Sequence, residues 1–198
     1  MTPSVCLLVF EGYADWEPAY ALAELRRSGG LEVETVGFAA EPVRSMGGVR
    51  VVPDLTLPEL EPARVRLLIL PGGDLWEGDY PREPLETLLH RLERAGAPIA
   101  AICGATLALA RAGLLDGRGH TSNEAAYLQA IPTYQGSSRY VDALAVHDRG
   151  VITASGLGPI EFAREIFEQL GVFSPEDRRL WYHVFKHGRF PEPSTQPG

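Results

Sequence analysis

APIAAICGATLALARA, residues 97–112, is the segment that decides how this chain folds. Its first part, Pro98 to Ile102, is apolar and partly branched, and it stops at Cys103. Gly104 follows at once, and a run of strong helix formers comes next. This order predicts a buried strand, a sharp turn and a helix, with the cysteine on the turn as in a nucleophile elbow. The alternative is a buried structural cysteine in a parallel strand, because free cysteine is among the most buried residue types.

Strand and helix patterns alternate along the rest of the chain. Strand patterns fall at 5–10, 31–38, 66–70, 118–122, 140–146 and 151–154, and a hairpin is expected within 43–52. Helix patterns occupy 18–28, 84–96, 124–131, 160–170 and a segment that begins after Ser174. Such alternation is typical of an α/β fold, a mostly parallel sheet with helices on both faces. We expect one domain over 1–188, a flexible tail over 189–198, a linker over 53–62 and a surface loop that includes Trp76.

Composition limits the class of protein. The chain has 198 residues, which suits one domain with one sizeable core. Its net charge of −8 argues against a nucleic-acid or anionic-membrane partner, since either would require a basic face. The first apolar run, Val5 to Phe10, is too short for a signal peptide or a membrane span. Two cysteines make no disulfide framework, so we expect a reduced, cytoplasmic thiol protein.

Three of the predicted loops converge at one edge of such a sheet. In parallel sheets ligands bind beyond the carboxyl ends of the strands, and the loops after Phe10, after Leu70 and at Cys103 all lie there. The second of these loops contains Gly72 and Gly73. Their backbone N–H groups have no side chain to block an approaching oxygen, which suits an oxyanion hole. A plain tight turn after a strand explains the same two glycines equally well.

Glu17 follows the first of these loops, near the start of the predicted helix. A carboxyl group held protonated by burial could donate a hydrogen bond to a thiolate at Cys103, or relay a proton. Together with the dipole of the helix after the cysteine, it predicts a thiol pKa below the ordinary value, which Glu17→Gln would raise. The alternative is an acidic residue that is favoured near a helix N-terminus for electrostatic reasons alone.

Five groups of short motifs carry a resemblance to a known family. They are FEGYADWE at 10–17, ILPGG at 69–73, AAICGAT at 100–106, GLLDGR at 113–118 with HTSN at 120–123, and GLGP at 156–159. In this order they resemble the ThiJ/PfpI superfamily, a glutamine-amidotransferase-like group. The group includes the Parkinson-disease protein deglycase, intracellular proteases, cofactor-independent glyoxalases and isonitrile hydratases.

The resemblance implies a flavodoxin-like three-layer sandwich, usually a homodimer, that acts without a cofactor. It makes Cys103 the nucleophile and Glu17 its carboxylic-acid partner, and it makes the backbone of Gly72, Gly73 and Gly104 the source of oxyanion donors. A small carbonyl or amide compound would then be the substrate.

Two positions depart from the family pattern. Proteases of the group carry a histidine directly after the cysteine, where this chain has Gly104, and this argues against a protease. Deglycase-like members carry a histidine at the position of Asn123, whose amide takes no proton near neutral pH. His120 lies three residues earlier, on the other face of a strand, so it would be catalytic only after a local shift.

Two functions of different classes remain open. The first is a small-molecule cysteine hydrolase, deglycase or glyoxalase-type enzyme. The second is a non-catalytic redox or stress-response protein whose Cys103 is oxidised to sulfinic acid, because oxidation needs only an exposed thiolate. No metal site is expected, since His183 and His187 are one helical turn apart but have no third ligand.

Overall fold

A seven-stranded sheet forms the centre of the protein in a computed structural model that describes residues 3–191. The strands are, in chain order, β1 (Ser4–Val9), β2 (Val33–Gly37), β3 (Val43–Arg44), β4 (Arg50–Val51), β5 (Leu55–Thr56), β6 (Val65–Leu70), β7 (Ile99–Ile102), β8 (Ala145–Asp148) and β9 (Val151–Ala154). The sheet order is β5-β2-β1-β6-β7-β9-β8, and β3 pairs with β4 as a separate hairpin. All pairs in the large sheet are parallel except β8 with β9.

Helices cover both faces of this sheet. They are α1 (Trp16–Arg27), α2 (Arg82–Ala95), α3 (Thr106–Arg111), α4 (Ala125–Gln129), α5 (Pro159–Leu170) and α6 (Pro175–His187). One group is formed by α1, α5 and α6, and another by α2, α3 and α4. The predicted fold class, a flavodoxin-like α/β sandwich, is therefore confirmed. Among residues 3–191, no helix has the length and apolarity needed to cross a bilayer.

The central strands are buried on both faces because helices lie above and below them. Every residue of β1 and β7 is buried. Cys6, which lies on β1, is 0% exposed, and this agrees with its assignment to the core. Burial raises the pKa of its thiol to about 11, although a hydrogen bond with Ser4 acts in the other direction. Cys6 is thus an unreactive core residue, unlike Cys103.

Several predicted boundaries agree with the structure. The hairpin expected within 43–52 is formed by β3 and β4. The last helix begins after Ser174, whose hydroxyl oxygen accepts a hydrogen bond from the backbone N–H of Asp177 at 3.1 Å. By contrast, α1 and α2 each begin two residues before the proline expected to open them, at Trp16 and Arg82. Of the predicted tail, residues 192–198 lie outside the described part of the chain.

Three predicted elements are wrong. The linker expected over 53–62 contains β5, which adds a parallel edge strand to β2. The strand expected over 118–122 is only a single bridge between His120 and Tyr140. Two of its backbone N–H groups donate to side chains instead, as in the 2.9 Å bond from Thr121 N–H to the hydroxyl of Thr153. The strand expected over 140–146 begins later, since β8 covers Ala145–Asp148.

Among single residues, the prediction for Trp76 differs most clearly from the structure. It was expected in a surface loop, but its side chain is 0% exposed. The ring packs edge-on against Phe10 and Tyr80, with centroid distances of 5.3 and 5.2 Å. Its indole N–H donates to the carbonyl oxygen of Pro71 at 2.8 Å, so the polar atom is satisfied inside the core.

Candidate active site

Three strand ends meet around one thiol. Glu17 lies in the first turn of α1, Gly72 follows β6, and Cys103 follows β7. The backbone N–H of Gly72 donates to Oε2 of Glu17 at 2.5 Å. A Cβ atom placed on Gly72 would lie 2.8 Å from the Cβ of Cys103 and 2.7 Å from Oε2 of Glu17. The convergence predicted from the sequence is therefore observed, and glycine is required at position 72 by this close approach.

Cys103 lies on a sharp turn between strand and helix. Its φ angle is +57°, in the left-handed region that residues with a Cβ rarely adopt. A short 3-10 turn, Cys103–Ala105, leads directly into α3. The next residue, Gly104, has little space around it, because a Cβ there would lie 3.0 Å from Cδ1 of Trp76. A histidine cannot be placed after the cysteine without moving the buried tryptophan.

Asn123 is a polar side chain that donates a hydrogen bond to the sulfur. Its Nδ2 donates to Sγ of Cys103 at 3.3 Å. The backbone N–H of Gly156 donates to Oδ1 of the same amide at 2.9 Å, which leaves Nδ2 to face the thiol. Asn123 therefore supplies a hydrogen-bond donor to the sulfur, and this donor can stabilise a thiolate but cannot remove a proton.

His120 does not contact the thiol in this structure. The side chain is 0% exposed, and both ring nitrogens have other partners. Nδ1 lies 2.7 Å from the carbonyl oxygen of Arg118, and Nε2 lies 2.6 Å from the hydroxyl of Tyr134. Burial lowers the pKa of His120, which favours the neutral ring. The local shift that would make it a base is absent, so Glu17 is the titratable side chain that faces Cys103.

Glu17 and Cys103 affect each other electrostatically. Burial raises the pKa of Glu17, and hydrogen bonds with Gly72 and Cys103 oppose the rise. Burial also raises the pKa of the Cys103 thiol; donation from Asn123 opposes this, and the Glu17 carboxylate adds to it. The expected lowering of the thiol pKa is therefore wrong for this geometry. Burial and the nearby negative charge outweigh the hydrogen bonds and the N-terminus of the helix.

The three glycines proposed as oxyanion donors differ in the partners of their N–H groups and in their surroundings. The N–H of Gly72 is used by Glu17, so it holds the carboxyl group in place. The N–H of Gly104 interacts with the Cys103 thiol and lowers its pKa. Gly73 has a φ angle of +149°, and its Cβ position is closed by Phe10 at 2.8 Å. Gly73 and Gly104 remain the candidate oxyanion donors.

An open cavity of about 370 Å³ leads to the thiol. The residues that line it are Trp16, Glu17, Cys103, Asn123, Glu124, Ser155, Gly156 and Leu157. The last three follow β9 and were not predicted as site residues, although the end of a parallel strand and the GLGP motif were signals for them. Among residues 3–191, no group of three histidine, cysteine or acidic side chains is placed to hold a metal ion.

A mostly parallel sheet flanked by helices, with a cysteine on a strand-to-helix elbow, defines a flavodoxin-like α/β protein with a nucleophile-elbow thiol. The chain belongs to the DJ-1/PfpI family, whose model matches residues 3–169.

Individual relatives agree with this assignment. The chain is 40% identical over 193 residues to the uncharacterized protease YoaZ of Bacillus subtilis, covering 93% of this chain and 91% of that protein. It is 31% identical to the glutathione-independent glyoxalase DJR-1.2 of Caenorhabditis elegans, covering 72% of this chain and 75% of that protein. The crystal structure of the DJ-1 superfamily protein Atu0886 from Agrobacterium tumefaciens superposes with a TM-score of 0.88 at 37% identity. That comparison covers 96% of this chain and all of the other.

Proposed function

We propose that this protein is a small-molecule cysteine enzyme in which the Cys103 thiolate adds to an electrophilic carbonyl carbon. The observation that carries the proposal is the meeting of three groups in one cavity: the elbow thiol, the amide of Asn123 and the carboxyl group of Glu17. A nucleophile, a hydrogen-bond donor and a proton carrier are the parts that addition to a carbonyl group requires. Relatives named as a glyoxalase and as deglycases support a carbonyl substrate.

A 2-oxoaldehyde such as methylglyoxal suits a site with a single carboxyl group as proton carrier. The thiolate adds to the aldehyde carbon, and the resulting alkoxide takes a proton to give a hemithioacetal. Glu17, as carboxylate, removes the hydrogen on that carbon and returns a proton to the neighbouring carbonyl carbon through an enediol. The product is a thioester, which water hydrolyses to the 2-hydroxy acid and free thiol. The sum is one 2-oxoaldehyde plus one water to one 2-hydroxy acid, with no external oxidant.

Each remaining group has a role in this sequence of steps. Asn123 donates to the sulfur and so stabilises the thiolate before attack and after hydrolysis. The N–H groups of Gly73 and Gly104 are the donors available to an alkoxide beside the sulfur. Hydrolysis of an amide is less well supported, because an amine leaving group needs a general acid at its nitrogen and no histidine in the described part of the chain contacts the thiol.

Methylglyoxal consumption by wild type, Cys103→Ala and Cys6→Ala tests the proposal. We expect lactate formation by wild type and Cys6→Ala, and none by Cys103→Ala. Cys6→Ala is the matched control because it also removes one thiol, but a buried one at the centre of the sheet. Equal consumption by Cys103→Ala would contradict a cysteine enzyme. A folded wild type with no turnover on methylglyoxal or on small esters would contradict it as well.

The second candidate function is a redox or stress-response protein. The specific observation in its favour is that the thiol accepts a hydrogen bond from Asn123 and that, within residues 3–191, it has no histidine beside it, which suits a stable sulfinate. Two equivalents of peroxide would convert the Cys103 thiolate to sulfinate and be reduced to water. Intact mass after mild peroxide should then show two added oxygens in wild type and Cys6→Ala but not in Cys103→Ala. Oxidation beyond sulfinate, or equal oxidation of Cys103→Ala, would contradict this function.

A further inference from the structure

The cavity at Cys103 is lined by acidic side chains. Glu17 and Glu124 both contribute to its walls, and among residues 3–191 no arginine, lysine or histidine does. Of these two glutamates, Glu17 raises the pKa of the Cys103 thiol. Arg111 belongs to the neighbouring helix α3, but its guanidinium donates to the carbonyl oxygen of Trp76 and the hydroxyl of Tyr80. The site thus has no cation available to hold a carboxylate ligand.

Glu124 is placed to meet any compound that enters. It is exposed and lies in extended backbone directly before α4, where its side chain makes no cap hydrogen bond. In the described part of the chain it takes no part in an ion pair. It lines the thiol cavity and also a neighbouring cavity of about 520 Å³ that includes Tyr127. Glu124 therefore borders both cavities, and in the described part of the chain no ion pair or cap hydrogen bond holds its carboxylate elsewhere.

We propose that Glu124 sets the charge selectivity of the Cys103 cavity, so that the site takes neutral or cationic electrophiles in preference to those that carry a carboxylate. This inference rests on the proposed function, since it specifies the substrates of the same thiol. Proteins bind carboxylate ligands with arginine or lysine. The charged side chains that line this cavity are glutamates, which repel a carboxylate. Trp16 and Leu157, which are 49% and 84% exposed, offer apolar contact to a neutral substituent instead.

Alkylation rates test charge selectivity without requiring turnover. In each reaction the thiolate forms a bond to carbon and halide leaves, and comparison with a free thiol corrects for the different intrinsic reactivities of the reagents. The reagents are iodoacetamide, iodoacetate and 2-bromoethylamine, with rates at Cys103 read by intact mass and divided by those of N-acetylcysteinamide. We expect iodoacetate to be disfavoured relative to iodoacetamide by about tenfold more than for the free thiol, and bromoethylamine to be favoured.

Variants assign the effect to the carboxylate of Glu124. Glu124→Gln should bring the ratio of iodoacetate to iodoacetamide rates toward that of the free thiol, and Glu124→Lys should raise it further. Glu83→Gln, which removes an exposed acid on α2, is the matched control and should leave the ratio unchanged. A wild-type ratio equal to that of the free thiol would overturn the proposal, as would a ratio that Glu124→Gln leaves unchanged.

A turnover assay separates this inference from the proposed function. Phenylglyoxal and 4-carboxyphenylglyoxal are 2-oxoaldehydes that differ by one negative charge. Turnover of the neutral compound alone, lost in Cys103→Ala, supports both proposals. Equal kcat/KM for the two compounds would overturn the charge selectivity and leave the enzyme function standing. Absence of turnover with the alkylation ratios intact would contradict the enzyme function and leave the charge selectivity standing.

Discussion

At the scale of single residues, the Cys103 thiol has two polar neighbours that act in opposite directions. The amide of Asn123 donates to the sulfur and lowers the thiol pKa, whereas the carboxylate of Glu17 raises it. Burial is the largest influence, and it raises the pKa of both Glu17 and Cys103. The fraction of thiolate near neutral pH therefore depends on both neighbours. Loss of the Asn123 amide should lower this fraction, and loss of the Glu17 charge should raise it.

Replacement of Asn123 should make the thiol less acidic. Asn123→Ala removes a donor to a charged sulfur, so we expect the thiol pKa to rise. Because the thiolate is the reactive form, the rise in alkylation rate with pH should move to higher pH by the same amount. A pH–rate profile with iodoacetamide measures the shift. Gln129→Ala, on the exposed side of α4, is the control. A profile unchanged in Asn123→Ala would show that the amide does not stabilise the thiolate.

Replacement of Glu17 should separate thiol reactivity from turnover. Glu17→Gln removes the negative charge beside the sulfur, so we expect a lower thiol pKa and faster alkylation near neutral pH. The same variant loses the proton carrier, so methylglyoxal turnover should fall about 100-fold or more. Parallel loss of alkylation and turnover in a folded variant would contradict the separate role of the carboxyl group.

The contacts of this site could be predicted only in part. Cys103, Glu17 and the glycine turn follow from strand ends and from motif order, which are local in the sequence. The bond from Asn123 to the sulfur does not, because it depends on the path of a loop that the sequence pattern indicated as a strand. The direction of the thiol pKa was missed for a related reason: burial is a property of the packed structure, and residue spacing does not report it.

At the scale of secondary-structure elements, the elbow places a non-glycine residue at φ +57°. This conformation costs a residue with a Cβ about 1 kcal/mol, and glycine adopts it freely. Cys103→Gly should therefore be more stable than Cys103→Ala by about 1 kcal/mol, although both variants lack the thiol. Urea denaturation of the two variants measures the difference in free energy of unfolding. An alanine variant of equal or higher stability would show that the turn is not strained.

The elements that escaped prediction are short or depend on distant partners. β5 is two residues long, Leu55–Thr56, and no periodic pattern can identify so short a strand. Trp76 follows a glycine turn and has loop-forming neighbours, yet Phe10 and Tyr80 surround it in the core. By contrast, β1, β7 and α5 are long or strongly patterned, and their positions were predicted to within a few residues.

At the scale of the whole molecule, the homodimer implied by the family resemblance stays a prediction. Exposed apolar side chains gather where α1 meets α6: Tyr20 is 36% exposed and Phe185 is 41% exposed, and their rings are 5.4 Å apart. We expect sedimentation at micromolar concentration to give a mass of two chains. A single-chain mass over that range would contradict the dimer.

Cys6 provides a second thiol whose labelling rate can be measured independently of that of Cys103. It lies on β1, in the interior of the sheet, with no exposed surface and a thiol pKa of about 11. A reagent can reach it only when the packing that covers β1 opens, so its labelling rate reports opening of the fold. Cys103 is labelled through an open cavity and reports the state of the site. A time course of intact masses would therefore distinguish a variant that has lost chemical reactivity from one whose fold opens more often.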